Sequence, residues 1–292
     1  MLGVHNGLPL FIAEVSSNHA QDLDRCIEFI DVAASVGCQA VKFQLFRIDD
    51  LFAPEILAKS EEHRRRRQWE LPKRFLPDLA KRCKEQSVQF SCTPFYLDAV
   101  EELYPYVDFY KIASYELLWD DLIKLCAETG KPLILSTGMA TMSEISHAVR
   151  VFRAAGGKDL TLLHCVSGYP VQAEDCNLSA IATIRRETGC EVGWSDHSRD
   201  PAVVNRAIDH WGAHVIEFHL DLDEMGAEYA TGHCWLPAEI GSVLEARRRL
   251  LKADGIGIKE PTKAELSDRP WRADPSDGLR PLKKMRASWV SE

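Results

Sequence analysis

The sequence predicts an α/β fold, a closed (β/α)8 TIM barrel with a short C-terminal extension. Three observations carry that expectation: eight short strand-like segments, amphipathic runs between them, and polar side chains sharing one parity in those segments.

The strand-like segments are PLFIAEVS (9–16), AVKFQLF (40–46), VQFSCTPF (88–95) and FYKIASYE (109–116), then PLILSTGM (132–139), LTLLHCVS (160–167), EVGWSDHS (191–198) and VIEFHLDL (215–222). Helical runs fall at 22–37, 76–86, 120–130, 143–156, 178–189, 201–212 and 237–251. Gly37, Gly130, Gly189 and Gly212 stand where helix C-caps belong. An open doubly wound sheet is the rival, but it rarely needs eight such units, and no G-x-G-x-x-G follows the first strand. The barrel is expected over 1–251 and the extension over 252–292.

Side chains alternate along a strand, so each has two faces. Glu14 and Ser16 share one face of the first strand, against Phe11, Ala13 and Val15; Lys42 and Gln44 oppose Val41, Phe43 and Leu45. Ser91 with Thr93, Lys111, Ser136 and Ser167 follow on the next four strands. Gly193, Ser195 and His197 align on the seventh, and Glu217 and His219 on the eighth. The apolar parity must meet the helices, so the polar parity points inward, mostly near the C-terminal strand ends where this fold places its chemistry.

Composition bounds the function. Of the 292 residues, 46% are hydrophobic and 27% charged, the balance of a globular protein. A net charge of −9 argues against general attraction to nucleic acid or anionic membrane. No apolar run approaches the roughly 20 residues of a membrane span, and the N-terminal MLGVHNGLPLFIAEV lacks a basic n-region and a cleavage site. The nine cysteines include no C-x-x-C pair, and several, such as Cys92 and Cys165, sit inside strands. A cytoplasmic protein without disulfides or a cysteine zinc site is expected.

His197 and His219 end neighbouring strands whose axes lie about 5 Å apart. Two inward imidazoles can hold a divalent metal, with Mn²⁺ as plausible as Zn²⁺ or Co²⁺; the plainer alternative is a pair of hydrogen-bonded core histidines. Lys42 and Lys111, amid Thr93, Ser136, Ser167 and Ser195, form a receptor for phosphate or carboxylate, whereas a single inward lysine could merely pair with Glu14 or Glu217. Ser114 and Glu116 are placed near the mouth, where strict alternation ends. EEHRRRRQWE (61–70) reads by default as a solvated face, with a lid or an anchor for an acidic substrate as the alternative. His164 reads as a core histidine, and His5, His63, His147, His210 and His214 as surface or packing residues. In TGHCWLP (231–237), spacing alone does not show whether His233 approaches the mouth.

The segments IAEVSSNH (12–19), AVKFQ (40–44), TPF (93–95) and YKIAS-E (110–116), with GKPLILSTGMAT (130–141), LLHCVSGYP (162–170), VGWSDHS (192–198) and VIEFH (215–219), together resemble the sialic acid synthase family through about residue 250. The resemblance implies metal-dependent condensation of phosphoenolpyruvate with an amino sugar to a 2-keto-3-deoxy sugar acid. It implies that Lys42, Thr93, Lys111, Ser114, Ser136 and Ser195 hold phosphoenolpyruvate, and that His197 and His219 bind Mn²⁺ or Mg²⁺. Gln44, Glu116 and Tyr169 would contact the sugar, with Glu14 near the reacting atoms and Glu14, Glu116 and His219 as the catalytic set. A homodimer is also implied. The family's Ser-Asn-Tyr-Pro is Ser167-Gly168-Tyr169-Pro170 here, and the 252–292 stretch is too short for the antifreeze-like domain of many members. Both departures weaken the inference to N-acetylmannosamine. Rival readings are a Schiff-base pyruvate aldolase on Lys111 and a non-catalytic sugar-acid binder.

Overall fold

The computed structural model describes residues 8–289, so His5 lies outside the described residues. Eight parallel strands pair in chain order and close on themselves: β1 (Leu10–Glu14), β2 (Ala40–Leu45), β3 (Gln89–Pro94), β4 (Phe109–Ile112), β5 (Leu133–Ser136), β6 (Leu160–Cys165), β7 (Glu191–Asp196) and β8 (Val215–His219). The barrel helices are α1 (Leu23–Val36), α2 (Leu76–Glu85), α3 (Asp98–Leu103), α4 (Asp120–Glu128), α5 (Met142–Ala154), α6 (Ala180–Thr188), α7 (Pro201–Asp209) and α8 (Pro237–Ala253). Of these barrel helices α3 alone lacks a counterpart among the sequence-predicted runs, because six residues are too few to establish a helical period. β4 stops at Ile112, and Ser114–Glu116 turn into a 3₁₀ helix rather than extending the strand.

Local chemistry starts and stops the helices. The Asp22 carboxylate accepts from the backbone N–H of Asp24 and Arg25 at the head of α1, and Gly37, at φ 99°, closes its tail. Thr141 and Glu144 form a capping box on α5. The face α1 buries (Cys26, Phe29, Ile30, Ala33) joins the cluster containing Phe11, Ala13, Val41 and Phe43, the outward parity of β1 and β2. Each large apolar side chain so buried contributes about 1.5–3 kcal/mol.

The inward parity divides into two layers. Leu10, Ile12, Ala40, Phe109, Ile134, Leu163 and Val215 form a separate buried cluster that fills the N-terminal half of the lumen. Gly193 belongs to this layer by necessity: a Cβ there would lie 2.3 Å from the Val215 carbonyl oxygen and 2.7 Å from Leu163. One step further along the same strands come Glu14, Lys42, Lys111, Ser136, Ser195 and Glu217, all buried and all polar.

Two compact units divide the chain, one through Arg249 and one from Leu250. In the second, the WRADPSDGLRP stretch closes on itself: Asp274 N–H donates to Leu279 O, and the Asp274 carboxylate accepts from Lys283 N–H at 2.7 Å. Among the described residues all nine cysteines are free thiols, and no helix is long and apolar enough to cross a membrane.

Candidate active site

The polar layer opens into a cavity of about 720 Å³ at the C-terminal strand ends. On one side stand the lysines. Lys111 donates to Ser136 Oγ (2.7 Å) and Ile112 O (3.1 Å), with Glu217 Oε1 at 3.5 Å. Lys42 is ion-paired with Glu14 and donates to Thr93 Oγ1 at 3.3 Å, with Glu217 Oε2 at 3.9 Å. Their environments push them apart. Burial pulls both down, but the Glu14 and Glu217 carboxylates more than offset it for Lys42 and hold that ammonium above its ordinary value. For Lys111 the burial penalty wins, Glu217 offsets only part of it, and Lys42 adds to it.

Opposite them lie three imidazoles. His197 and His219 have ring centroids 5.3 Å apart, and His233 lies 4.6 Å from His219 and 5.9 Å from His197. Each keeps its Nδ1 proton against an acceptor. His197 Nδ1 faces Val166 O at 2.9 Å and His219 Nδ1 faces Glu228 Oε2 at 2.8 Å. His233 Nδ1 meets Thr231 Oγ1 at 2.6 Å, a hydroxyl whose own proton goes to Glu228 O. With those protons on Nδ1, the Nε2 atoms of His197 and His219 keep a lone pair, the tautomer a metal ligand requires, while His233 Nε2 lies 3.6 Å from Glu228 Oε2. Ligand atoms of His219, Glu228, His233 and Cys234 lie within 4.8 Å of one another. Burial raises the Cys234 thiol to about 12, so without a bound cation it stays protonated near neutral pH. The donor set fits a divalent cation.

Carboxylate oxygens of the site are buried without a hydrogen-bond partner, Glu116 Oε2 and Glu217 Oε2 among them. An orphaned buried acceptor costs about 1–3 kcal/mol, and several around one cavity are what a polar ligand would satisfy. Burial also raises the Glu116 carboxyl to about 7, with Lys111 opposing the shift.

Glu14, Lys42, Gln44, Lys111, Ser114, Glu116, Ser136, Tyr169, Ser195, His197 and His219, all singled out in the sequence, line the cavity. Thr93 is fully buried, meets Lys42 and lies outside the lining. Ser167 is also outside it, packed where a Cβ on Gly138 would come within 2.5 Å of its Oγ. GWSDHS splits as parity demands. Ser195 and His197 face the cavity, while Asp196 faces outward and accepts from the indole N–H groups of Trp194 (3.0 Å) and Trp235 (2.9 Å). His164 donates from Nε2 to Cys176 O, a satisfied core histidine as read. Tyr169 stacks on His197 with centroids 4.2 Å apart.

Sequence reasoning did not place Glu228, His233, Cys165, Arg66 or Trp69, yet all line the cavity. Trp235 pairs with the end of β8, its N–H donating to His219 O and its carbonyl accepting from Asp221 N–H, and this bridge brings His233 beside His219. The usable signals are the parity of Cys165, shared with Leu163 and Ser167, and the lid alternative for the 61–70 run that holds Arg66 and Trp69.

Fold and cavity together define a (β/α)8 barrel with a lysine-and-hydroxyl wall and a histidine-rich wall at its mouth. The chain belongs to the NeuB family, whose model matches residues 29–259. The N,N'-diacetyllegionaminic acid synthase of Campylobacter jejuni is 33% identical over 269 residues, 88% of this chain and 80% of the relative. An uncharacterized protein of Methanocaldococcus jannaschii is 37% identical over 270 residues, 90% of this chain and 77% of its own. The crystal structure of N-acetylneuraminic acid (sialic acid) synthetase from Leptospira borgpetersenii, in complex with citrate, superposes with a TM-score of 0.77 at 31% identity, covering 89% of this chain and 90% of that one. The protein is thus an enzyme of an acid-synthase family, one that makes a C–C bond.

Proposed function

We propose that this enzyme condenses phosphoenolpyruvate with the open-chain aldehyde of an N-acylmannosamine-like sugar, giving a 2-keto-3-deoxy nonulosonic (sialic-type) acid and phosphate, with Mn²⁺ or Mg²⁺ as cofactor. One observation carries the reading: two buried lysines with hydroxyls and three imidazoles line a single cavity, with His197 and His219 each held through Nδ1. The relatives named as sialic and legionaminic acid synthases support it.

Lys42 and Lys111, with Ser114, Ser136 and Ser195, hold the phosphate and carboxylate of phosphoenolpyruvate, and Thr93 steadies Lys42 from behind. His197 and His219 hold the cation, His233 stands beside them, and Glu228 fixes the His219 ring through its Nδ1 proton. A cation bound there supplies Lewis acidity toward the sugar carbonyl. Gln44 and Tyr169 orient the sugar chain so that C3 of phosphoenolpyruvate bonds to the aldehyde carbon. Water then adds at C2, the C2–O bond to phosphate breaks, and C2 becomes the ketone. Glu116, with its carboxyl near 7, takes the proton from that water and returns one to the new alkoxide, while Glu14 holds Lys42 in its charged form.

A phosphate-release assay with phosphoenolpyruvate, Mn²⁺ and a panel of hexosamines tests the reading. Turnover with at least one N-acyl sugar is expected, lost with EDTA and in His219→Ala; full activity of that variant sinks the metal assignment. The burial that disfavours the Lys111 ammonium favours a second reading, a Schiff base with pyruvate on that side chain. Borohydride with pyruvate would trap an adduct on Lys111 if that reading holds, whereas condensation leaves none.

A further inference from the structure

Residues 48–69 between β2 and α2 are not a loose loop but a strap of three short helices and a 3₁₀ turn. It is tied down at its end: Gln21 Nε2 donates to Arg67 O and Glu70 O, and Glu70 Oε1 accepts from Ile48 N–H at 2.7 Å. Its inner surface forms one wall of the cavity, where Phe46, Ile48 and Phe95 pack with Phe52 and Trp69.

The arginine run is almost completely matched. Arg64 donates to Leu57 O, Arg65 pairs with Glu61 (2.7 Å), Arg66 with Glu62 (3.4 Å) and Arg67 with Asp49. Among the described residues one buried donor of the run has no hydrogen-bond partner. Arg66 Nε is buried without a partner, and the guanidinium lies 5.6 Å from the Phe52 ring and 5.7 Å from the Trp69 ring, on the cavity lining. A buried N–H against an apolar wall calls for a neutral acceptor attached to a small apolar group. A phosphate dianion fits poorly, because Glu62 already pairs with Arg66 and the guanidinium of Arg64 is spent on Leu57 O.

We propose that this wall is an acylamino subsite. Arg66 donates from Nε to the carbonyl oxygen of the acceptor's N-acyl group, and the acyl alkyl part packs on Phe52 and Trp69. The inference rests on the reading above that an aldose occupies this cavity, and it names the residues that select an acylated one.

The test is calorimetric binding of N-acetylmannosamine and of mannose to the full chain, with phosphoenolpyruvate and EDTA present to hold turnover. The wild type should bind the N-acyl sugar at least tenfold more tightly. Arg66→Ala and Arg66→Lys, the second keeping the charge but losing Nε, should each lose about tenfold to hundredfold on the N-acyl sugar and nothing on mannose. Arg65→Ala, paired outside with Glu61, should change neither. A wild type without preference, variants that keep it, or an equal loss on both sugars overturns the subsite. Selective binding without phosphate release in the activity assay would sink the condensation reading and leave the subsite standing.

Discussion

The two halves of the barrel lumen are built on the same strands, with the same inward parity, and do opposite work. In the N-terminal half, Leu10, Ile12, Phe109, Ile134, Leu163 and Val215 leave no room, so that even a methyl on Gly193 would collide. In the C-terminal half, one residue pair further along, the chain buries Glu14, Lys42, Lys111 and Glu217 and leaves Glu217 Oε2 without a hydrogen bond. The lower layer holds the fold, which lets the upper layer carry groups arranged for a ligand rather than for stability. Lys111 and Ile134, paired across β4 and β5, mark the border.

Substituting each of these neighbours is the strongest way to break the comparison. Lys111→Met should lower kcat for phosphate release by about 10²–10³-fold, as removal of a preorganised charge does. It should move the urea midpoint less than the lower-layer change, since burial already disfavours that ammonium. Ile134→Ala should do the reverse, costing about 2–5 kcal/mol of stability in urea titration while the folded fraction keeps its turnover. Equal stability losses from both would erase the distinction.

Glu116 sharpens it through pH. Its carboxyl near 7 predicts that turnover rises through that region as the base ionises, and Glu116→Gln should flatten this limb of the rate profile. The stability sign is opposite. Between the ordinary value of 4.5 and about 7 the unfolded chain has lost the proton and the folded chain keeps it, so raising pH favours unfolding across that window and levels off above it. Glu116→Gln should therefore gain stability relative to wild type from pH 4.5 to 7. The smallest effect is expected at Gly168, where an added Cβ meets nothing closer than 3.6 Å. Gly168→Asn should leave the melting temperature unchanged, and a large drop would show that the glycine itself is required.

Much of the site was legible because strand parity is a local property. Glu14, Lys42, Lys111, Ser136, Ser195, His197 and His219 announced their common face through a two-residue period. Thr93 obeyed that rule and still missed the cavity, because parity fixes the side of a strand but not what stands in front of it. The arginine run was read by default as solvated; three of its arginines have acid partners, and Arg66 with Trp69 nonetheless reaches the cavity.

The sequence alone determined the barrel, its eight strands, their inward faces and the two walls of opposed chemistry, since each follows from periods of two and 3.6 residues read within one segment. Only the tertiary structure decided that His233 and Glu228 join His219, that Lys42 and Lys111 differ in charge preference, and that Arg66 keeps an unspent donor on the cavity wall. Those outcomes depend on which loops fold back over the mouth and how deeply each group is buried. No local period encodes them.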